Sequence, residues 1–273
     1  MDDTRKVIQT GLVILLVIAA AVGVYYLIIR KPPAKPTGEK PGEAPPPVAM
    51  EKPDAGTTLG ALNLPTLELD KSDDLLRGLA QDISSHPGLS AWMKTHDIIR
   101  NFVAAVDNVA NGLSPKAQID FFTLSRDFRS VKRDNKLIAD PANYDRYNQV
   151  ADVFISLDER ASARLYKALL PLFRQAYKDL GYPDTDFQDT LIRAIAEILS
   201  TPVVEGRIVL ERKVSSYAMV DETLEGLSQA QKQLLRMGPE NTQVIQTKLR
   251  ALAVACGLPE YRLPKPRIYT PGK

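Results

Sequence analysis

A chain of 273 residues is long enough for one sizeable domain or two small ones, and with 44% hydrophobic and 25% charged residues it can build a packed core. Thirty-five basic against 33 acidic side chains leave a formal charge of +2, so no global field attracts nucleic acid and any basic patch must be local. The single cysteine, Cys256, excludes an intramolecular disulfide and a zinc site of the paired-cysteine kind.

After a short tail (residues 1–6), residues 7–29 read VIQTGLVILLVIAAAVGVYYLII, without a charge. As a helix this run would extend roughly 35 Å at ~1.5 Å per residue, enough to cross a ~30 Å hydrocarbon layer. Tyr25 and Tyr26 stand near its far end, and Arg5, Lys6, Arg30 and Lys31 close it on both sides, as expected of a transmembrane helix. Ala19, Ala20 and Ala21 would suit a signal peptidase, but the apolar run continues well beyond them, which fits an uncleaved single-pass anchor better. Ala19 and Gly23 form a small-xxx-small pair through which two anchors could meet as a homo-oligomer, although small residues are also simply compatible with lipid.

Residues 30–58 change character. Eight prolines fall between positions 32 and 53, with almost no large apolar side chain. Such a linker builds no core. In polyproline II, at ~3.1 Å per residue, residues 32–53 would reach up to roughly 70 Å, so the segment reads as a semi-rigid spacer rather than as a ligand for a proline-recognition domain.

From 59 to 257 the apolar residues recur at helical spacing. The expected fold is mainly α: a compact multi-helix soluble domain with at most a small β-hairpin. Ser72 or Asp70 is expected to cap a first helix whose face is Leu75, Leu76, Leu79, Ala80 and Ile83, ended by His86-Pro87-Gly88; a short turn then carries Trp92. A second helix, starting near Asp97, presents Ile98, Ile99, Phe102, Val103, Val106 and Val109 and stops at Asn111-Gly112. Residues 113–139 are the least regular, and 128–131 could pair with 137–139 as a small hairpin. Asp140-Pro141 marks the next helix start, followed by Tyr144, Tyr147, Val150, Phe154 and Leu157.

Asp158 caps a long helix with Leu165, Leu169, Leu172, Phe173, Ala176 and Leu180, which Pro171 should kink. Phe187, Leu191, Ile192, Ile195, Ile198 and Leu199 make another, stopped by Thr201-Pro202. Residues 207–214 read as a short strand or extended segment. Ser228 and Gln231 make a capping box, Gly238-Pro239 breaks and restarts the chain, and a last helix with Val244, Ile245, Leu249, Leu252 and Ala253 ends at Gly257. No internal repeat of fixed period is visible.

Few residues offer chemistry. His86 and His96 flank a turn, and their spacing suits no helical metal pair, although a site shared with Asp82 or Asp97 is conceivable. Cys256 has no histidine near it in sequence and reads as a buried, inert thiol. Asp184, Asp186 and Asp189 lack the glycine of a calcium loop and are expected to cap and charge the following helix. There is no glycine-rich phosphate loop, GxSxG or SxxK. No catalytic, cofactor-binding or metal-ligating residue is therefore assigned, and no cofactor is expected.

Two surfaces remain. The string RMGPEN (236–241) could present Arg236, Glu240 and Asn241 around Gly238 and Pro239 as an exposed interaction corner, or be a helix–helix corner kept for geometry. The tail, 258–273, interleaves Arg262, Lys265 and Arg267 with Tyr261 and Tyr269; it could dock on an acidic partner, an anionic polymer or lipid headgroups, or be a solvated, disordered end.

Four strings, FVAAVDNVANG (102–112), ARLYKALLPLFRQAYKDLGYPD (163–184), STPVVEG (200–206) and QKQLLRMGPENTQVIQTKLR (231–250), occur in an order and register that resemble the bacterial domain-of-unknown-function family 3014. The similarity covers roughly residues 64–257. It implies a bacterial envelope protein with an N-terminal anchor and a proline-rich spacer, and it implies no activity. The lysines and arginines near the membrane lean toward a cytoplasmic C-terminus, but a long domain translocates largely regardless of them. The expected location is the inner membrane, with the soluble domain periplasmic. The reading that follows is a helical interaction or scaffold module with an unknown protein or envelope-polymer partner. The alternatives are an enzyme acting on the cell wall or another envelope polymer, which would need carboxylates and tyrosines converging in one pocket, and a cytoplasmic-facing adaptor.

Overall fold

The computed structural model describes residues 68–115, 128–214 and 216–272. The expected anchor (7–29), with Ala19 and Gly23, and the spacer (30–58) lie outside the described residues. Among those described, no helix is long and apolar enough to cross a membrane. They form α1 (Ser72–Ile83), α2 (Pro87–Trp92), α3 (Ile98–Ala110), β1 (Ser130–Arg133), β2 (Lys136–Ala139), α4 (Asn148–Ile155), α5 (Glu159–Asp179), α6 (Phe187–Leu199), β3 (Val203–Val204), β4 (Val209–Arg212), β5 (Tyr217–Met219), α7 (Glu222–Glu225), α8 (Gln229–Leu235), α9 (Pro239–Ala255) and β6 (Ile268–Tyr269).

The helical body is built on the apolar stripes of α3, α5, α6 and α9. On α5, Tyr166, Leu169, Phe173 and Tyr177 recur every three or four residues, so they share one face, and all are buried. Phe173 meets Phe102 of α3 at 4.8 Å between ring centroids and stacks on Tyr166 at 5.6 Å. Phe187 of α6 closes the cluster against Tyr177 at 5.5 Å. Offset and edge contacts of this kind add about 0.5–1.5 kcal/mol per pair beyond the burial itself. Helix α5 runs without interruption through Pro171. Pro171 and Lys167, whose carbonyl loses its amide partner, both lie on the exposed side, where water can bond that carbonyl.

Local signals place most helix ends. Asp158 Oδ1 accepts from the Ala161 amide at 2.6 Å, Asp186 from Gln188 at 3.1 Å, and Ser228 with Gln231 forms the expected capping box. One start differs from expectation. Ser72 does not cap α1: it lies inside it, buried, with its hydroxyl donating to the Leu69 carbonyl at 2.7 Å, while Asp70 belongs to a preceding 3₁₀ turn. Helix α3 starts beside Asp97, as expected, but the Asp97 side chain does not supply its cap. Asp97 adopts φ 53, and its amide and that of Ile98 donate to the Asp73 carboxylate at 2.9 and 3.0 Å. The cap comes from α1, so it also ties the two helices together. His86 starts α2 rather than only ending α1, its Nδ1 accepting from Gly88 at 3.0 Å.

The β structure exceeds the hairpin expected. β1 and β2 form that hairpin, turning at Asp134 and Asn135, both with positive φ (49 and 60), as a two-residue turn requires when it follows the strand twist. β4 and β5 extend it into a four-stranded antiparallel sheet of order β1-β2-β4-β5. Leu137 faces Leu210 across β2 and β4, and Leu210 faces Met219 across β4 and β5, which keeps these side chains on one side. A second small core of Val204, Ile208, Leu210, Leu224 and Leu235 joins this sheet to α7 and α8.

The C-terminal segment is not a solvated tail. β6 pairs in parallel with β3, Leu263 is buried in the main core, and the Tyr269 hydroxyl donates to Asp221 at 2.8 Å. The folded domain therefore continues past position 257.

Candidate functional site

Between the small sheet, the 3₁₀ turn Pro141–Tyr147 and α8 lies a cavity of about 80 Å³. Its apolar lining comes from Phe128, Tyr144, Ile208, Leu210, Tyr217 and Met219. The strand period explains part of this set. Tyr217 and Met219 are two residues apart on β5 and so share a face, and the register puts Met219 beside Leu210.

Three charged residues also line it: Glu225, Lys232 and Arg236. The Glu225 carboxylate accepts from the Met219 amide at 2.8 Å and from Lys232 Nζ at 2.9 Å, while Nζ also donates to the Glu225 carbonyl at 2.8 Å. The Met219 amide, with Lys232, holds the Glu225 carboxyl below its ordinary value, so it is ionised at neutral pH. The pair caps the outer edge of β5 and joins it to α8. Arg236 is different. It is exposed, donates to Gln233 Oε1 at 3.1 Å and makes no close ion pair among the described residues, although its charge also helps to lower the Glu225 carboxyl. Burial raises the Tyr144 hydroxyl above its ordinary value, which keeps it protonated and a potential donor.

Of the expected corner, residues 236–241, only Arg236 lines the cavity. Gly238 has φ +89, and a Cβ on it would stand 2.4 Å from Tyr144 Cγ, so the chain passes directly over the Tyr144 ring. Pro239 opens α9 at a position where its missing amide costs nothing. Asn241 is turned inward, 8% exposed, donating to the Met237 carbonyl at 3.0 Å and to Asn148 Oδ1 at 3.0 Å. Of the five corner residues, Arg236 and Glu240 face solvent, Pro239 is half-buried, and Gly238 and Asn241 are buried for packing.

The remaining sequence candidates are dispersed. His86 caps α2 and His96 is exposed. Asp186 caps α6 and pairs with Arg174 at 3.2 Å, Asp189 lies in that helix's first turn, and Asp184 is exposed. Cys256 is fully buried at the end of α9. Among the described residues no group of three His, Cys, Asp or Glu is placed to hold a metal ion. In the C-terminal segment Tyr261, Arg262, Lys265 and Arg267 face solvent and Tyr269 is half-buried. Sequence reading missed Phe128, Tyr217, Met219, Glu225 and Lys232 as parts of one site. Glu225 and Lys232 sit on separate short helices, a spacing with no motif of its own.

Residues 98–253 match the family described as proteins of unknown function, DUF3014, a span that contains all four strings of the sequence resemblance. No curated protein and no solved structure matches the chain.

Proposed function

The chain belongs to the DUF3014 family, and we propose that it is a membrane-tethered interaction module of the bacterial envelope that binds a protein partner through the cleft beside Tyr144. The charge state of the cleft carries this reading. Glu225 and Lys232 neutralise each other and serve the fold, so neither is poised for proton transfer. Arg236 is left to meet an incoming carboxylate. The cavity, about 80 Å³, is roughly half of the ~150 Å³ that admits benzene, room for a small aliphatic group. The partner segment is therefore an aliphatic residue beside a carboxylate. The apolar run 7–29 and the proline-rich spacer 30–58 support placing the module at the inner membrane, on its periplasmic side.

The test uses the full-length chain with a benzophenone amino acid in place of Tyr217. Crosslinking in cells, before solubilisation, should yield a protein adduct that Arg236→Glu removes and that Arg133→Glu, on the hairpin, leaves unchanged. No adduct, or one indifferent to Arg236→Glu, overturns the cleft as the binding surface. A covalently captured envelope polymer in place of a protein would favour the enzyme reading.

A further inference from the structure

Helix α5 has an outer face that the fold does not explain. Arg160, Arg164, Lys167, Pro171, Gln175 and Lys178 are all exposed. At about 100° per residue they fall within about 60° of a single line along the helix. Arg174, half-buried beside them, is engaged by Asp186 at 3.2 Å. The helix's only acids, Glu159 and Asp179, stand off this line at its two ends, and Glu159 is bonded to Lys248 of α9. No ion pair among the described residues involves Arg160, Arg164, Lys167 or Lys178.

Like charges at i,i+4 and i,i+3, here Arg160 with Arg164 and Arg164 with Lys167, destabilise a helix. Exposed helices ordinarily relieve such repulsion with interleaved acids; α1, for example, pairs Arg77 with Asp73 and Asp74. The row runs about 27 Å from Arg160 to Lys178. It is the outward ridge of one uninterrupted helix, a shape that meets a plane better than it grips a chain. Within it stands no large apolar side chain that would insert, so its attraction is electrostatic and reversible.

We propose that α5 is the face on which the domain lies down against anionic phospholipid headgroups. This rests on the tethered reading above: an anchor at 7–29 keeps a bilayer at high effective concentration around the domain. Cations held near a charged leaflet each add to binding, and salt screens the attraction.

The experiment takes the full-length chain carrying Gln175→Cys with a donor fluorophore, Cys256 being fully buried. The protein is reconstituted into nanodiscs with acceptor-labelled headgroups, made of phosphatidylcholine alone or mixed with phosphatidylglycerol. Energy transfer should rise with phosphatidylglycerol, and high salt should abolish the rise. The variant Arg160→Gln/Arg164→Gln/Lys167→Gln should lose it, while Lys132→Gln/Lys136→Gln on the hairpin should keep it. Co-elution with zwitterionic discs tests the anchor separately. Co-elution with transfer blind to lipid charge, or a rise that survives in the triple variant, overturns docking through α5. Association with anionic discs alone, lost in the triple variant, supports docking and removes the anchor. A row that binds soluble polyphosphate but ignores the anionic discs also overturns the lipid assignment.

Discussion

Replacing Gly238 with alanine tests how the corner is built. The residue holds φ +89, ψ 165, a backbone conformation that only glycine adopts without strain. The added Cβ would also stand 2.4, 2.7 and 2.8 Å from Tyr144 Cγ, Cδ2 and Cβ. Strain in such a region costs roughly 1–3 kcal/mol and overpacking a filled site about as much again, so Gly238→Ala should destabilise by about 2–6 kcal/mol. Gly78 supplies the control. It lies in α1 with open space around its missing Cβ, where alanine lowers the entropy lost on folding and should stabilise by about 0.5–1 kcal/mol. Denaturant unfolding followed by circular dichroism measures both. Combining Gly238→Ala with Tyr144→Ala removes the two ring contacts but leaves the contact with the residue 144 Cβ and the backbone strain, so the two changes should couple by about 1–2 kcal/mol and recover only part of the loss. A loss below about 1 kcal/mol for Gly238→Ala, within the range of ordinary surface changes, would refute the close approach of chain and ring.

Leu169 is 2% exposed on the inner face of α5, so Leu169→Asp should cost about 3–5 kcal/mol and unfold a domain of ordinary stability; an unchanged melting curve would mean the core face is misassigned. Asp73→Ala removes the cap that α1 lends to α3 and should cost about 1–2 kcal/mol, with slower-exchanging amides lost at the start of α3 in hydrogen exchange. Glu225 titrates below its ordinary value of 4.5, so its stabilisation is complete above that pH and is lost as the pH falls through the lower folded value. The melting temperature of the wild type should therefore drop more on acidification than that of Glu225→Gln, and parallel pH profiles would show that the carboxylate does not link β5 to α8.

The helical half of this protein is written locally. Stripes such as Tyr166, Leu169, Phe173 and Tyr177, and caps such as Asp158, Asp186 and Ser228 with Gln231, involve residues three or four apart, and chain geometry alone brings these together. The same period exposes the row Arg160, Arg164, Lys167 and Lys178 to view, although only the packed fold shows that no acid among the described residues pairs with it. The sheet and the cleft obey no such rule. β5 has three residues and β6 two, too few for a period; β5 forms only against the neighbouring β4, and β6 exists because the distant β3 supplies its hydrogen bonds. Asp73 caps α3 from 24 residues away, and Tyr269 anchors the C-terminal segment to Asp221 from 48. Gly238 in isolation reads as a helix break; that it must be glycine depends on where the Tyr144 ring comes to rest. Sequence determines the faces and ends of the helices because those energies are summed over neighbours along the chain. The cleft is decided by which distant groups meet, since Glu225 closes on Met219 and Lys232 while Arg236 stays exposed without a close ion pair among the described residues.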